Sequence, residues 1–233
     1  MSDLDLHPHT LFLFEGLRQH ADPVQAVPMQ AYMKTDQPFY GVRAPVRKQL
    51  CRDARAKYPL KLRDEYERVV RELWAGPHRE DQHAALDVAE NHRKHRIPAS
   101  MPLYVDLANA APHWDTLDTI AGGLISRLVQ SHREFESILR DWITSPNMWL
   151  RRASLLGHLK HKHDTNRAFL SETILALCHE KEFFIRKAIG WVLRDYSYAN
   201  PEWVIAFVQQ HDAVLAPLSK REALKAIERK KRK

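Results

Sequence analysis

Glycine is scarce in this chain: 7 residues in 233, with neither an Asn-Gly nor an Asp-Gly pair, so tight two-residue β-hairpin turns lack their usual carriers. Cysteine is scarcer still. Cys51 and Cys178 lie far apart with no CxxC pair, which excludes a disulfide framework and a thiolate zinc site, and fits a reducing cytoplasm. No apolar run is long enough to span a bilayer. The opening MSDLDLHPHTLFLFEGLRQH has early acids and only a short apolar patch, Leu11 to Phe14, unlike a secretory leader. A cytoplasmic protein with no membrane partner is expected. HExxH, a phosphate-cradling glycine loop and a GxSxG elbow are all missing, and no carboxylate is matched to His158, His161 and His163, so no metal and no cofactor are expected.

Helical periodicity is what the chain does have. Apolar residues recur at three- and four-residue spacings nearly throughout, which predicts an all-α fold of about a dozen short helices. Asp22-Pro23, Ala44-Pro45, Asn147, Thr165-Asn166 and Asn200-Pro201 have the composition of helix starts. A repeat is visible when Trp149-Leu150-Arg151-Arg152-Ala153 is laid over Phe184-Ile185-Arg186-Lys187-Ala188, 35 positions on. Ala121 and Ala84 echo the same small-residue position at steps of 32 and 37. A small residue at a recurring helix position lets neighbouring helices approach, so an irregular HEAT-like solenoid is predicted, as a single domain over 1–233 and as a monomer. From Ser219 the sequence SKREALKAIERKKRK is nearly all charged, and 225–233 is expected to be a frayed, basic, solvated tail.

Lys and Arg outnumber Asp and Glu by 36 to 29, a formal charge of +7, which makes nucleic acid a plausible partner through counterion release. Arg43, Arg47, Lys48, Arg52 and Arg55 place several cations along one side of a helix, where phosphates could bind, although an ordinary solvated face explains them nearly as well.

Chemistry first becomes visible in Pro112-His113-Trp114-Asp115-Thr116-Leu117-Asp118. Trp114 and Asp118 are four apart and share a helix face, whereas Asp115 sits where it can satisfy the exposed N–H groups of the helix start. Asp118 alone reads as a solvated or salt-bridged acid more often than a catalytic one. Arg151 and Arg152 must point in different directions, so one of them is expected to serve structure. In isolation Trp191 reads as core, with Gly190 opening space beside its helix. In a solenoid, equivalent helix faces line one concave surface, which makes a basic groove holding tryptophan, carboxylate and arginine conceivable.

At this point the chain resembles the AlkD-like DNA alkylation-repair glycosylases, enzymes built from HEAT-like repeats. The resemblance begins at Pro28-Met29-Gln30-Ala31-Tyr32-Met33-Lys34 and Phe39-Tyr40-Gly41-Val42-Arg43-Ala44-Pro45-Val46-Arg47 and passes through Arg71-Glu72-Leu73-Trp74 and WDTLD. It continues through NMWLRRASLL, KEFFIRKAIGWVLRDY and Leu215-Ala216-Pro217-Leu218-Ser219-Lys220-Arg221-Glu222-Ala223. The resemblance implies that Trp114, Asp118, Arg152 and Trp191 are the functional positions of the concave groove. It also implies that Tyr32 and Arg194 are neighbouring groove residues, and that Lys160, Arg47 and Lys48 lie near the DNA backbone. Two departures stand out: Ala44 replaces a hydroxyl-bearing residue that can contact phosphate, and His113 replaces an aromatic neighbour of the tryptophan.

The implied reaction is hydrolysis of the N-glycosidic bond of cationic alkylated purines in double-stranded DNA, N3-methyladenine or N7-methylguanine and bulkier adducts, to leave an abasic site. A purine already cationic is a good leaving group and needs no strong general acid. Asp118 would stabilise the oxocarbenium-like sugar and position water, the two indoles would favour the cationic centre, and Arg152 would hold a phosphate. A noncatalytic HEAT-like binder of bent, branched or damaged DNA is the alternative, and a protein-binding concave face is a third reading.

Overall fold

The structure is a computed structural model that describes residues 6–231. Helices follow from the periodicity, and no strand occurs among the described residues. They fall in two compact units, one up to Leu103 and one from Tyr104.

The first unit holds α1 (Pro8–Gln19), α2 (Pro23–Met33), α3 (Ala44–Lys57), α4 (Arg63–Trp74) and α5 (Arg79–Asn91). In α4 the residues Tyr66, Val69, Val70 and Leu73, at i, i+3, i+4 and i+7, are fully buried. Its outer face is laced by the i,i+4 ion pairs Arg63–Glu67, Glu67–Arg71 and Arg68–Glu72. Asp22 caps α2, its carboxylate accepting from the backbone N–H groups of Val24 and Gln25. Ahead of α3 the chain runs extended, and the buried Glu80 carboxylate accepts the N–H groups of Tyr40, Gly41 and Val42 at 2.8–3.0 Å, standing in for a missing strand neighbour. Gly41, at φ +84°, is required there: a Cβ would sit 2.0 Å from the Asp22 carbonyl oxygen. The FYGVRAP segment is thus a clamp that delivers α3 with its row of cations.

The division between the units falls within α6 (Met101–Ala110), whose residues from Tyr104 on belong to the second unit. That unit also comprises α7 (Trp114–Thr119), α8 (Ser126–Ser131), α9 (Glu136–Ile143), α10 (Met148–Leu156), α11 (Arg167–Leu177), α12 (Phe183–Tyr196), α13 (Pro201–Gln210) and α14 (Pro217–Lys231). A π-helical turn, Ile120–Ile125, joins α7 to α8 without a break. The expected caps are in place: Asn147, Asn166 and Asn200 accept from the N–H groups of Trp149, Phe169 and Trp203. The repeat is physical as well as textual. Ala153 in α10 and Ala188 in α12 are both fully buried, these two helices pack on each other, and Ala121 and Ala84 are fully buried too.

Two expectations are corrected. The chain from Ser219 is not a frayed end: α14 runs from Pro217 to Lys231, with Ala223 and Ala226 buried and the Ser219 hydroxyl donating to the Arg186 carbonyl. Charge density concealed an amphipathic helix, because every third or fourth residue in the run is small or apolar. The tail's Arg232 and Lys233 lie outside the described residues. Gly190, for its part, opens no free space. A Cβ there would meet the Glu222 Cβ at 2.5 Å and the Ser219 carbonyl oxygen at 2.8 Å, so the glycine admits α14 against α12.

Candidate functional site

Helix α7 places its buried side on Thr116 and Leu117, both at 0% exposure, which turns Trp114 and Asp118 together onto a half-buried edge. α10 packs against α7 and presents Arg152, which is buried, as are Leu150, Ala153 and Leu156 of the same helix. The guanidinium meets Asp118 in a bidentate fork, Nε to Oδ1 and Nη2 to Oδ2, each 2.8 Å. Its remaining Nη1 donates to the Phe184 carbonyl of α12, and the Phe184 ring lies 5.8 Å from the guanidinium carbon. One buried arginine of α10 therefore joins the Asp118 carboxylate of α7 to a backbone carbonyl of α12.

Asp118 sits between two opposed influences. Burial pushes its carboxyl above the ordinary value, with a smaller push from Asp115, while the Arg152 hydrogen bonds and charge pull it down. With its side chain only 4% exposed and its guanidinium engaged on all three nitrogens, Arg152 has no free edge for a phosphate in this arrangement. The adjacent Arg151 diverges, as helix geometry requires. It pairs with both oxygens of Glu180 and donates to the Ser145 and Pro146 carbonyls, so it is the structural member of the pair.

Trp191 is half-buried rather than core. In α12 the residues Phe184, Lys187, Trp191 and Arg194 fall within about 80° of one another at 100° per residue, on the face opposite the buried Ile185, Ile189, Val192 and Tyr196. Glu222 of α14 reaches this face, accepting from Lys187 at 2.8 Å and from Arg194. Sequence reasoning missed Glu222 as a functional candidate, since its partners are 35 and 28 positions away and nothing local marks it. Lys160 follows α10 at φ +67°, exposed, with its N–H bonded to Asp195 Oδ2 at 2.6 Å.

In the first unit Tyr32 is 74% exposed on α2, a helix that buries none of its residues. Arg43 precedes α3 and donates to Gln25. Arg47 is held by Asp87 at 2.7 Å and is nearly covered, whereas Lys48 is exposed and borders a cleft of 210 Å³ with Arg52 and Arg55. Of the two departures, Ala44 is exposed as the first residue of α3, and His113 is the residue before α7. No group of three or more potential ligands able to hold a metal occurs among the described residues. His158 and His161 are instead buried and bonded to Thr173 and to the Ser126 carbonyl, and burial pushes His158 down to about 3. No helix among the described residues is long and apolar enough to cross a membrane.

An all-helical chain whose recurring alanines are buried where its helices pack defines a helical-repeat protein of the AlkD type. A family model described as DNA alkylation repair enzyme matches residues 13–227, and the chain belongs to that family. Among solved structures, one titled as a predicted DNA alkylation repair enzyme from Enterococcus faecalis has 31% identity and a TM-score of 0.76, over 88% of this chain and 95% of that one. AlkD2 from Streptococcus mutans shares the fold at 15% identity and a TM-score of 0.55, over 86% and 96%. No match to a curated protein was found. The protein thus acts in the repair of alkylation-damaged DNA.

Proposed function

We propose that the protein is a monofunctional glycosylase that hydrolyses the N-glycosidic bond of cationic N3- or N7-alkylated purines in duplex DNA. The observation that carries this reading is the Asp118–Arg152 fork, one helical turn along α7 from Trp114. A carboxylate locked in place before substrate arrives needs no reorganisation when positive charge develops on the deoxyribose, which is the condition for electrostatic catalysis. Arg152 acts as a positioning residue for Asp118, and its contact to Phe184 keys that position to the helix bearing Trp191. Trp114 and Trp191 offer π faces to the cationic nucleotide. Phosphate binding then falls to the exposed cations Arg43, Lys48 and Lys160, with Arg194 beside Trp191 and the nearly covered Arg47 held by Asp87; Tyr32 offers an exposed ring. Water completes the reaction: its oxygen bonds to the sugar carbon as the C–N bond breaks, the base departs neutral with that bond's electron pair, and the proton lost from the water passes to solvent. No lysine nucleophile takes part, so the product is an intact strand carrying an abasic site.

The test is release of free base from duplex DNA containing N7-methylguanine under single-turnover conditions. Asp118→Asn should lower the rate about 100-fold or more while retaining most duplex affinity. Absence of release by the unmodified protein from both N7-methylguanine and N3-methyladenine would establish the noncatalytic-binder reading. That second reading has one observation in its favour: Asp118 is already neutralised by Arg152.

A further inference from the structure

Beside Trp191 lies a second charged cluster, of which the proposed chemistry uses only Arg194. Glu222 is 7% exposed in its side chain, yet three cations share it: Lys187 at 2.8 Å, Arg194, and Lys225 at 4.0 Å. Lys187 and Arg194 stand four residues before and three after Trp191, so one buried carboxylate holds the cations that flank the indole along its helix face. The carboxylate is itself fixed. Its Cβ rests against Gly190, one residue before the tryptophan, and the Ser219 hydroxyl in the same turn of α14 bonds to the Arg186 carbonyl. Repeat equivalence adds a second observation. Lys187 occupies the position that Arg152 holds one repeat earlier, and each takes a carboxylate from a neighbouring helix, Asp118 from α7 and Glu222 from α14.

From this arrangement we infer that Glu222 is a positioning residue for the lesion nucleotide. It holds Lys187 and Arg194 as a two-cation cradle for one DNA phosphate, and so orients the Trp191 indole against the adjoining sugar. The inference rests on the glycosylase reading, and its test separates the two.

The protein is labelled with 5-fluorotryptophan, and the Trp191 resonance is assigned by its loss in Trp191→Phe. Glu222→Gln should shift or broaden that resonance while leaving the resonance of buried Trp142 unchanged. Since the substitution removes a negative charge, affinity for undamaged duplex should hold or rise. Single-turnover base release should nevertheless fall about tenfold, the signature of lost orientation rather than lost attraction, and Glu222→Asp should restore part of it. A wild-type Trp191 resonance together with a wild-type release rate in Glu222→Gln overturns the inference. Should Trp142 report that this variant does not fold, Lys187→Gln with Arg194→Gln must displace the Trp191 resonance instead, and its failure to do so overturns the inference equally. If the unmodified protein releases no base, the glycosylase reading falls while the resonance still decides whether Glu222 orients Trp191.

Discussion

At the scale of residues, Asp118 and Arg152 are a coupled unit. Truncating Arg152 leaves a largely covered carboxylate without its partner, so Arg152→Gln should destabilise the fold by about 3 kcal/mol. Joining it to Asp118→Asn should recover a large part of that loss, a non-additivity that a urea-denaturation mutant cycle measures. Titration gives a second handle. Burial raises the Asp118 pKa, and only the ionised form stabilises a cationic sugar, so the acid limb of base release should lie above the ordinary value of 3.8. Removing the downward pull of Arg152 should move that limb to still higher pH. His9 runs in the opposite sense. Burial holds it neutral and lowers its pKa from 6.5 to about 4. The unfolded chain therefore binds a proton more readily across that window, and stability should fall as pH drops from about 6.5 to about 4. His9→Gln should flatten this part of the stability curve, as read by the urea midpoint.

Elements are where the amino-acid order spoke most clearly and also misled most. Asn166 and Asn200 cap their helices as expected, and Asn166→Ala should cost about 1 kcal/mol by thermal denaturation. The alanines of α10 and α12 were legible because close helix packing leaves a periodic demand for small side chains. The stretch from Ser219 to Lys231 departs from expectation because charge density is a composition, whereas burial depends on phase. Ser219, Glu222, Ala223 and Ala226 fall on one stripe that only the presence of α12 makes meaningful. Gly190 tests this directly. Its alanine variant should lose about 1–3 kcal/mol, since the Glu222 Cβ and the Ser219 backbone of α14, not a yielding side-chain tip, meet the new methyl. A Gly190→Ala protein as stable as the parent would show that α14 can move away from α12 at little cost.

For the whole molecule, the excess of cations predicts that duplex affinity falls steeply with salt, each neutralised phosphate contributing about 0.9 to the slope of log affinity against log salt. Lys48→Gln should reduce that slope by about one without changing discrimination between damaged and undamaged duplex, which separates phosphate grip from lesion chemistry. The order of residues was enough to determine an all-α repeat, its caps, its small packing positions and the Trp114–Asp118 face, because each follows from local backbone geometry and spacings of three or four. Tertiary structure alone decided which arginine of Arg151-Arg152 meets the carboxylate, that Arg47 is taken up by Asp87, and that Glu222 gathers the cations around Trp191. Those pairings join residues 28 to 40 positions apart, and a charge in the interior selects its partner by shared burial and distance, neither of which a linear chain contains.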